Sequence, residues 1–322
     1  MKLKSLLDSD RGVPVFLAPM AGVTDTPFRK LVCQFGATAV VSEMISSEAL
    51  VRNSEKTYRR LTGGGNVKIV QIMGSDPQRM AESAKINEDN GADIVDINMG
   101  CPVKKVVNNN SGSALLKDEK LAVKIAETVV NSVKIPVTLK MRLGWDAESK
   151  NFRSLAKQFE DVGIRMLAIH CRTRSQMYGG IADWTEISDL KDIISIPYLV
   201  NGDIKNCDDV RQALRQSNAR GVMIGRAALG KPWLLNQILQ KINHGKEIPA
   251  PSPEEQYQIV MQHFRDTLDF YGTEHGLRIF RKHFCWYSSG MSGASSFREK
   301  INHLSDIKSI ENAVRNFYEN HF

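Results

Sequence analysis

Eight short runs rich in β-branched residues recur along the chain with helical patterns between them: Val13–Ala18, Ala37–Ser42, Val67–Ile72, Asp93–Ile97, Ile135–Met141, Met166–His170, Ile196–Val200 and Gly221–Ile224. The runs start every 24 to 42 residues, which suits repeated βα units and a parallel sheet. Helix signals fill the gaps. Thr26-Pro27 precedes Phe28 to Phe35 and then Gly36, and Asp76-Pro77 precedes Met80 to Asn90 and then Gly91. Proline at a helix start and glycine just past its end is the expected asymmetry. Eight alternations within about 230 residues favour a closed (β/α)8 TIM barrel over an open doubly wound sheet.

A chain of 322 residues holds one such barrel of about 250 residues and a small appendage. Pro249, Pro251 and Pro253 mark the linker, and Val260, Phe264, Leu268 and Tyr271 then fall at helical spacing. Leu277, Phe280, Phe284 and Tyr287 form a second apolar stripe, with Arg278, Arg281 and Lys282 off it. The expected division is a barrel over 1–248 and a small all-helical domain over 249–322.

Composition matters mainly for what it excludes. With 42% hydrophobic and 25% charged residues and no low-complexity tract, the chain is not disordered. Met1 to Gly12 carries Asp8, Asp10 and Arg11 where a signal peptide needs an apolar stretch. The best apolar run, Val15 to Val23, is less than half of the ~20 residues that cross a bilayer, so a cytoplasmic protein without a membrane partner is expected. Five cysteines at irregular spacing (Cys33, Cys101, Cys171, Cys207 and Cys285) argue against disulfides and Cys-x-x-Cys metal sites. The net charge of +7 favours polyanion partners. Residues 251–322 hold eight Lys/Arg against nine Asp/Glu, so the excess lies on the barrel.

Catalytic groups of a barrel sit where strands end and loops begin. Those ends are polar here: Ala18-Pro19-Met20-Ala21, Ser42-Glu43-Met44, Gln71-Ile72-Met73-Gly74, Asn98-Met99-Gly100-Cys101-Pro102, Lys140-Met141-Arg142, His170-Cys171-Arg172-Thr173-Arg174, Asn201-Gly202-Asp203 and Gly225-Arg226. The last two supply glycine amides and a guanidinium where barrels commonly hold a phosphate, so a phosphorylated cofactor follows. Gly63-Gly64-Gly65 precedes a strand and reads as a loop, and no Gly-x-Gly-x-x-Gly turn occurs. A nicotinamide cofactor would visit without its own domain. Lys140 is either a fixed cation stabilising charge on a reduced cofactor or a lysine snorkelling from the core. Cys101, on a Gly-Cys-Pro turn, is either a general acid or packing, and His170 has the same ambiguity.

Ala18-Pro19-Met20-Ala21-Gly22-Val23-Thr24-Asp25 and Asp96-Ile97-Asn98-Met99-Gly100-Cys101-Pro102, continued to Gly112-Ser113-Ala114-Leu115-Leu116, resemble the tRNA-dihydrouridine synthases. So do Leu139-Lys140-Met141-Arg142, His170-Cys171-Arg172-Thr173-Arg174 and Gly221-Val222-Met223-Ile224-Gly225-Arg226. The match runs through the barrel in order and looks nearest to the bacterial B-type subgroup. In 251–322 it rests on Arg278, Arg281, Lys282, His283 and Trp286.

The resemblance implies FMN as cofactor, NADPH as transient reductant, and dihydrouridine in the D-loop of tRNA as product. By it, Pro19, Met20 and Ala21 border the flavin, Gln71 hydrogen-bonds its ring, and Lys140 faces its N1/O2 edge. Asn201, Gly202, Asp203, Gly225 and Arg226 hold its phosphate. Cys101 gives a proton to C5 of uracil, His170 and Asn98 orient flavin or base, and Arg142 meets the substrate. Arg278, Arg281 and Lys282 grip the RNA. A monomer without metal is expected. Two departures stand out: Cys171 where the family usually has Gly, adding a thiol near the mouth, and Asn108 and Asn109 where it has basic residues. A flavin barrel acting on a small substrate is the nearest alternative, and a barrel that binds RNA without catalysis is the other.

Overall fold

The structure, a computed structural model, describes residues 2–52 and 67–321; the Gly63-Gly64-Gly65 loop lies outside the described residues. Nine strands are present among the described residues: β1 (Val15–Leu17), β2 (Ala39–Val40), β3 (Ile45–Ser46), β4 (Ile69–Met73), β5 (Ile94–Met99), β6 (Val137–Arg142), β7 (Leu167–His170), β8 (Tyr198–Asn201) and β9 (Gly221–Ile224). All pair in parallel, in the order β2-β1-β9-β8-β7-β6-β5-β4-β3. The sheet closes through Val41, whose amide donates to the Leu17 carbonyl and which bridges to Ile69 of β4. The fold is a TIM barrel followed by C-terminal helices.

Each of the eight sequence runs overlaps a strand; the second holds only the short β2, and a further two-residue strand that no run included, β3, follows after a break at Ser42–Met44. The break has a physical cause. Ser42 Oγ accepts the Gln71 amide at 2.9 Å, and the Glu43 carboxylate accepts the Gly22 amide. Side chains thus make bonds that an unbroken ladder would have made.

The barrel interior is filled from the N-terminal ends of the strands by Phe16, Ile69, Ile94, Met166, Leu199 and Met223, with Leu3 packed beneath. Because strand residues are covered on both faces, they read as near-continuous apolar runs. The outer layer includes α1 (Thr26–Gln34), α2 (Pro77–Asp89), α3 (Glu119–Ser132), α4 (Phe152–Asp161), α5 (Cys207–Ser217) and α6 (Leu234–His244). Asp25 caps α1 through the Phe28 amide at 3.0 Å, and Asp76 caps α2 through the Arg79 amide at 2.8 Å. Helix α1 therefore starts at Thr26, two residues before the expected Phe28. Both helices end before glycines at positive φ, Gly36 at 93° and Gly91 at 76°.

Helices α7 (Pro253–Tyr271), α8 (Thr273–Tyr287), α9 (Ala294–His303) and α10 (Ile307–Glu319) follow. Val260, Phe264, Leu277, Phe280, Phe284 and Tyr287 are buried together, as the helical spacing requires. This cluster meets the barrel at α1. The Phe28 ring lies 5.5 Å from His263 and 5.9 Å from His283.

The two imidazoles are buried 4.7 Å apart. His263 Nδ1 pairs with the Tyr287 hydroxyl at 3.0 Å, while His263 Nε2 and both His283 nitrogens have no hydrogen-bond partner among the described residues. Burial pushes His263 down to about 3 and His283 well below its ordinary value. Both are neutral in the fold, whereas the unfolded chain binds their protons below pH ~6.5. Stability is therefore fully present above pH ~6.5 and is lost as pH falls toward the folded value. At pH 5 the loss for His263 is about 2 kcal/mol, from ~1.4 kcal/mol per pH unit over ~1.5 units, and His283 adds in the same direction. Asp25, raised to about 6 chiefly by burial, opposes this by on the order of 1.4 kcal/mol at pH 5. Buried His170, held well below its ordinary value, adds to the histidines' side, and Asp96, raised by burial, adds to that of Asp25, so three imidazoles stand against two carboxyls. Urea unfolding should show a lower midpoint at pH 5 than at pH 7.5; an equal or higher midpoint would mean that these imidazoles charge freely in the fold.

Candidate active site

A cavity of about 1050 Å³ opens at the C-terminal ends of the strands, and every barrel residue given a catalytic, cofactor or substrate role above lines it. Pro19, Met20 and Ala21 come from the loop after β1, Gln71 from β4, Asn98 from β5 and Cys101 from the turn beyond it. Lys140 and Arg142 come from β6, His170 from β7, Asn201, Gly202 and Asp203 from the end of β8, and Gly225 and Arg226 from the end of β9.

Strand register builds a polar ladder across the inner wall. Gln71 pairs with Asp96, Asp96 with Thr138, and Asn98 with Lys140 on adjacent strands, so their side chains emerge side by side. Gln71 Nε2 donates to Asp96 Oδ2 at 2.7 Å, and Thr138 Oγ1 donates to Asp96 Oδ1 at 2.6 Å. Asn98 Nδ2 donates to Gln71 Oε1 at 2.8 Å. Asn98 Oδ1 in turn accepts the Gly100 and Cys101 amides at 3.1 and 3.0 Å. Burial and the Arg142 charge lower the Lys140 ammonium to about 8, with Asp96 opposing that fall. Asp96, within the Asp96–Pro102 segment, is the acceptor that holds Gln71 and Thr138. Its signal was the alternation Asp96, Asn98 along a strand whose odd positions are apolar.

The Cys101 turn is fixed from both sides. Its amide is held by Asn98, and its carbonyl accepts from Ser113 N at 3.1 Å and Ser113 Oγ at 2.9 Å. Gly112, at φ 62°, lies where a Cβ would come within 2.8 Å of that carbonyl, so only glycine lets the loop close on it. Burial raises the Cys101 thiol, outweighing the Val103 amide and the charges of Arg142 and Lys140 that pull it down. The group is a protonated thiol at neutral pH.

Arg142 is almost wholly buried. Its Nε donates to Gly100 O at 2.9 Å, and its Nη1 to Thr173 O and Met177 O at 2.9 and 2.8 Å. It remains a cation although burial lowers it to about 10. The guanidinium thus ties the Cys101 turn to the loop after β7, and the expected contact with substrate is narrowed by those commitments.

Arg172, one residue of the strand end His170–Arg174, organises the other half of the mouth. Its Nη2 donates to Asp203 Oδ2 at 2.5 Å, its Nη1 lies 3.3 Å from His170 Nε2, and Asp203 Oδ1 accepts Arg226 Nη2 at 3.1 Å. A guanidinium only donates, so His170 Nε2 accepts and the ring proton sits on Nδ1. Burial, with the Lys140, Arg142, Arg172 and Arg226 charges, holds His170 well below its ordinary value and hence neutral. Burial raises Asp203, but the bonds from Arg172 and the Ala182 amide and the Arg226 charge outweigh it, leaving the carboxyl below its usual range. Gly202, at φ 120°, has no room for a side chain: a Cβ would lie 2.7 Å from Ala182 Cβ and 3.0 Å from His170 Cδ2. Five cationic side chains, Lys140, Arg142, Arg172, Lys205 and Arg226, line the cavity against one carboxylate, Asp203. The cavity suits an anion.

The expectation of an extra thiol near the mouth is corrected. Cys171 is buried in the hydrophobic core with Sγ 3.8 Å from the Ile169 carbonyl, because the side chain after the inward His170 points to the opposite face. The basic trio of α8 does not form one free surface. Arg278 is exposed and pairs with Glu274 at 3.2 Å, Arg281 Nη2 donates to Leu304 O at 3.0 Å, and Lys282 Nζ donates to Gly22 O beside the cavity. Asn108 and Asn109 are exposed, and Lys104 and Lys105 on the same loop carry the positive charge those positions lack. Among the described residues no cluster of three or more His, Cys, Asp or Glu could hold a metal, and no helix is long and apolar enough to cross a membrane.

Two solved structures share the barrel alone. A 2-naphthoyl-CoA reductase complex superposes with TM-score 0.56 at 12% identity, over 71% of this chain and 51% of that one. The 6-hydroxypseudooxynicotine amine oxidase of Pseudomonas geniculata N1 gives 0.54 at 13%, over 71% and 48%. This chain spans about half the length of each. Sequence relatives cover nearly all of it, across 94% of the chain. A "Probable tRNA-dihydrouridine synthase" of Rickettsia bellii is 48% identical over 307 residues, 94% of each chain. The "tRNA-dihydrouridine synthase B" of Pseudomonas aeruginosa is 45% identical over 307 residues, 94% of this chain and 92% of that one. The family model described as dihydrouridine synthase matches residues 16–321. With the Asn98–Cys101 turn, the Lys140 strand and the Asp203–Arg226 mouth all inside that match, the chain belongs to the dihydrouridine synthase family.

Proposed function

We propose that this protein reduces D-loop uridines of tRNA to 5,6-dihydrouridine, with FMN in the barrel cavity and NADPH as transient reductant. The observation that carries the reading is a protonated thiol, Cys101, on the wall of a net-positive cavity, within a chain whose relatives carry the synthase name. FMN, when bound, supplies the hydride that adds at C6 of uracil. The C5=C6 bond is conjugated to a carbonyl, so that addition leaves enolate character and calls for a proton at C5. Cys101 holds that proton, on a turn that Asn98 and Ser113 keep rigid. Gln71, fixed by Asp96, offers an amide to the ring system. Neutral His170 orients flavin or base without adding charge.

The phosphate of FMN suits Asn201 to Asp203, Gly225 and Arg226. Arg226 gives Asp203 one hydrogen bond and is otherwise exposed. Arg226→Ala should weaken flavin binding about ten- to hundredfold, the roughly 1.5–3 kcal/mol of a charge-assisted contact. Fluorescence titration of the stripped protein with FMN reads this directly, and unchanged affinity would move the phosphate elsewhere.

Residues 1–248 act as the catalytic domain and 249–322 as the RNA-gripping one. Exposed Arg278 is the member of the basic trio best placed to meet a phosphate. One barrel holds the whole residue set, so a monomer suffices, and a tRNA substrate implies work in the cytoplasm. The purified protein should be yellow, bleach with NADPH under anaerobic conditions, and regain its colour on mixing with unmodified tRNA. A colourless protein that FMN cannot restore would refute the reading.

A further inference from the structure

Val103, Tyr178 and Ile181 are the large hydrophobic side chains most exposed among the described residues, at 44%, 50% and 82%, and all three line the rim of the same cavity. Scattered exposed apolar residues need no explanation, but a set gathered at one mouth marks a surface that another molecule covers. The Tyr178 ring has local partners, 5.7 Å from the Arg142 guanidinium and 5.5 Å from that of Arg226, and Val103, the least exposed of the three, sits at the N-cap position of the short helix Lys104–Val107. Ile181 is the most exposed of them, and its position is rigidly set. Buried Arg172 donates to Gly179 O at 2.9 Å and to Gly180 O at 2.8 Å, and the Ala182 amide donates to Asp203 Oδ2 at 2.9 Å. The residues on either side are thus anchored, and the isoleucine is held out toward solvent.

We propose that Ile181 is a stacking wedge: it enters the gap left in the RNA when the target uridine is turned into the cavity. The inference rests on the RNA reading above. A small ligand that lies wholly inside the cavity has no use for an apolar group outside it. A polymer does, because removing one base from a stack leaves two apolar faces open to water, and proteins that open stacks commonly insert an aliphatic side chain there. Exposed Lys104 and Lys105 on one rim loop and Lys205 on another provide positive charge for the flanking phosphates.

The test uses the full-length flavin-loaded protein and unmodified tRNA, with the modified position first mapped by the wild type. Pre-reduced protein is mixed rapidly with tRNA for the wild type, Ile181→Ala, Ile181→Asp and Ile181→Leu. Because the side chain is exposed, none of these should disturb folding. The alanine and aspartate variants should reoxidise on tRNA about tenfold or more slowly, with leucine restoring most of the rate. A tRNA carrying 2-aminopurine beside the mapped uridine should brighten when bound by the wild type, as its neighbour leaves the stack, and should brighten far less with saturating Ile181→Ala. Rates within twofold of wild type for alanine and aspartate, or equal brightening, would overturn the wedge while the RNA reading stood. A wild type that never reoxidises on tRNA would remove both.

Discussion

Cys101→Ala is expected to slow dihydrouridine formation by about 10²–10⁴, the usual cost of losing a positioned acid, while flavin content and NADPH oxidation stay close to wild type. Only the uridine half of the reaction needs a proton at C5. The structure sharpens the expectation in two ways. Burial keeps the thiol protonated, and its turn is locked by Asn98, Ser113 and Gly112, so the proton is both present and aimed. Cys171→Ala is the control, because that thiol sits in the core and does not line the cavity. Following the two half-reactions separately by rapid mixing decides the matter. Wild-type reoxidation of Cys101→Ala on tRNA, or a stall in Cys171→Ala instead, would take the acid role away from Cys101.

Lys140→Met should lower the rate of uridine reduction by roughly 10²–10³, the range found when a preorganised stabilising group is removed from a site shielded from water. The ammonium is lowered to about 8 by burial and the Arg142 charge, so its proton is lost at mildly alkaline pH. The sign follows from that. Activity that needs the cation is complete below pH ~7 and falls as pH rises through about 8. Lys140→Arg keeps its charge to higher pH and should move the alkaline limb upward, though with a lower plateau where the guanidinium fits poorly. A wild-type profile flat to pH 9.5 at saturating flavin, or an unchanged limb in Lys140→Arg, would separate the limb from this residue.

Much of this site was legible because the barrel imposes a rule on where chemistry sits. With eight parallel strands set by their spacing, the strand ends are where chemistry should sit, and from them Ala18, Gln71, Asn98, Lys140, His170, Asn201 and Gly225 line the cavity, while others such as Ser42 and Cys171 stay outside it. Pairwise commitments were not legible. Nothing in the sequence near Arg142 says that its guanidinium meets the carbonyls of Gly100, Thr173 and Met177, because those partners come from two other loops. Arg172 and Asp96 were overlooked for the same reason: their worth lies in holding Asp203 and Gln71. The helical stripes of α7 and α8 were read correctly from periodicity. Periodicity also left Arg278, Arg281 and Lys282 together off the stripe, although two of them are bonded to backbone carbonyls across the interface with neighbouring elements. The break between β2 and β3, and β3 itself at Ile45–Ser46, follow from the side-chain bonds of Ser42 and Glu43, which a run of β-branched residues does not reveal.

The central claim is that this cavity delivers hydrogen to a uridine of tRNA. Unmodified tRNA incubated with the flavin-loaded protein and NADPH, then digested to nucleosides and quantified, tests it most directly. The account predicts dihydrouridine at a D-loop position with the wild type and a trace at most with Cys101→Ala over the same time. A protein that carries flavin, is reduced by NADPH and passes its electrons to small enones, yet leaves every uridine of the tRNA intact, would contradict it.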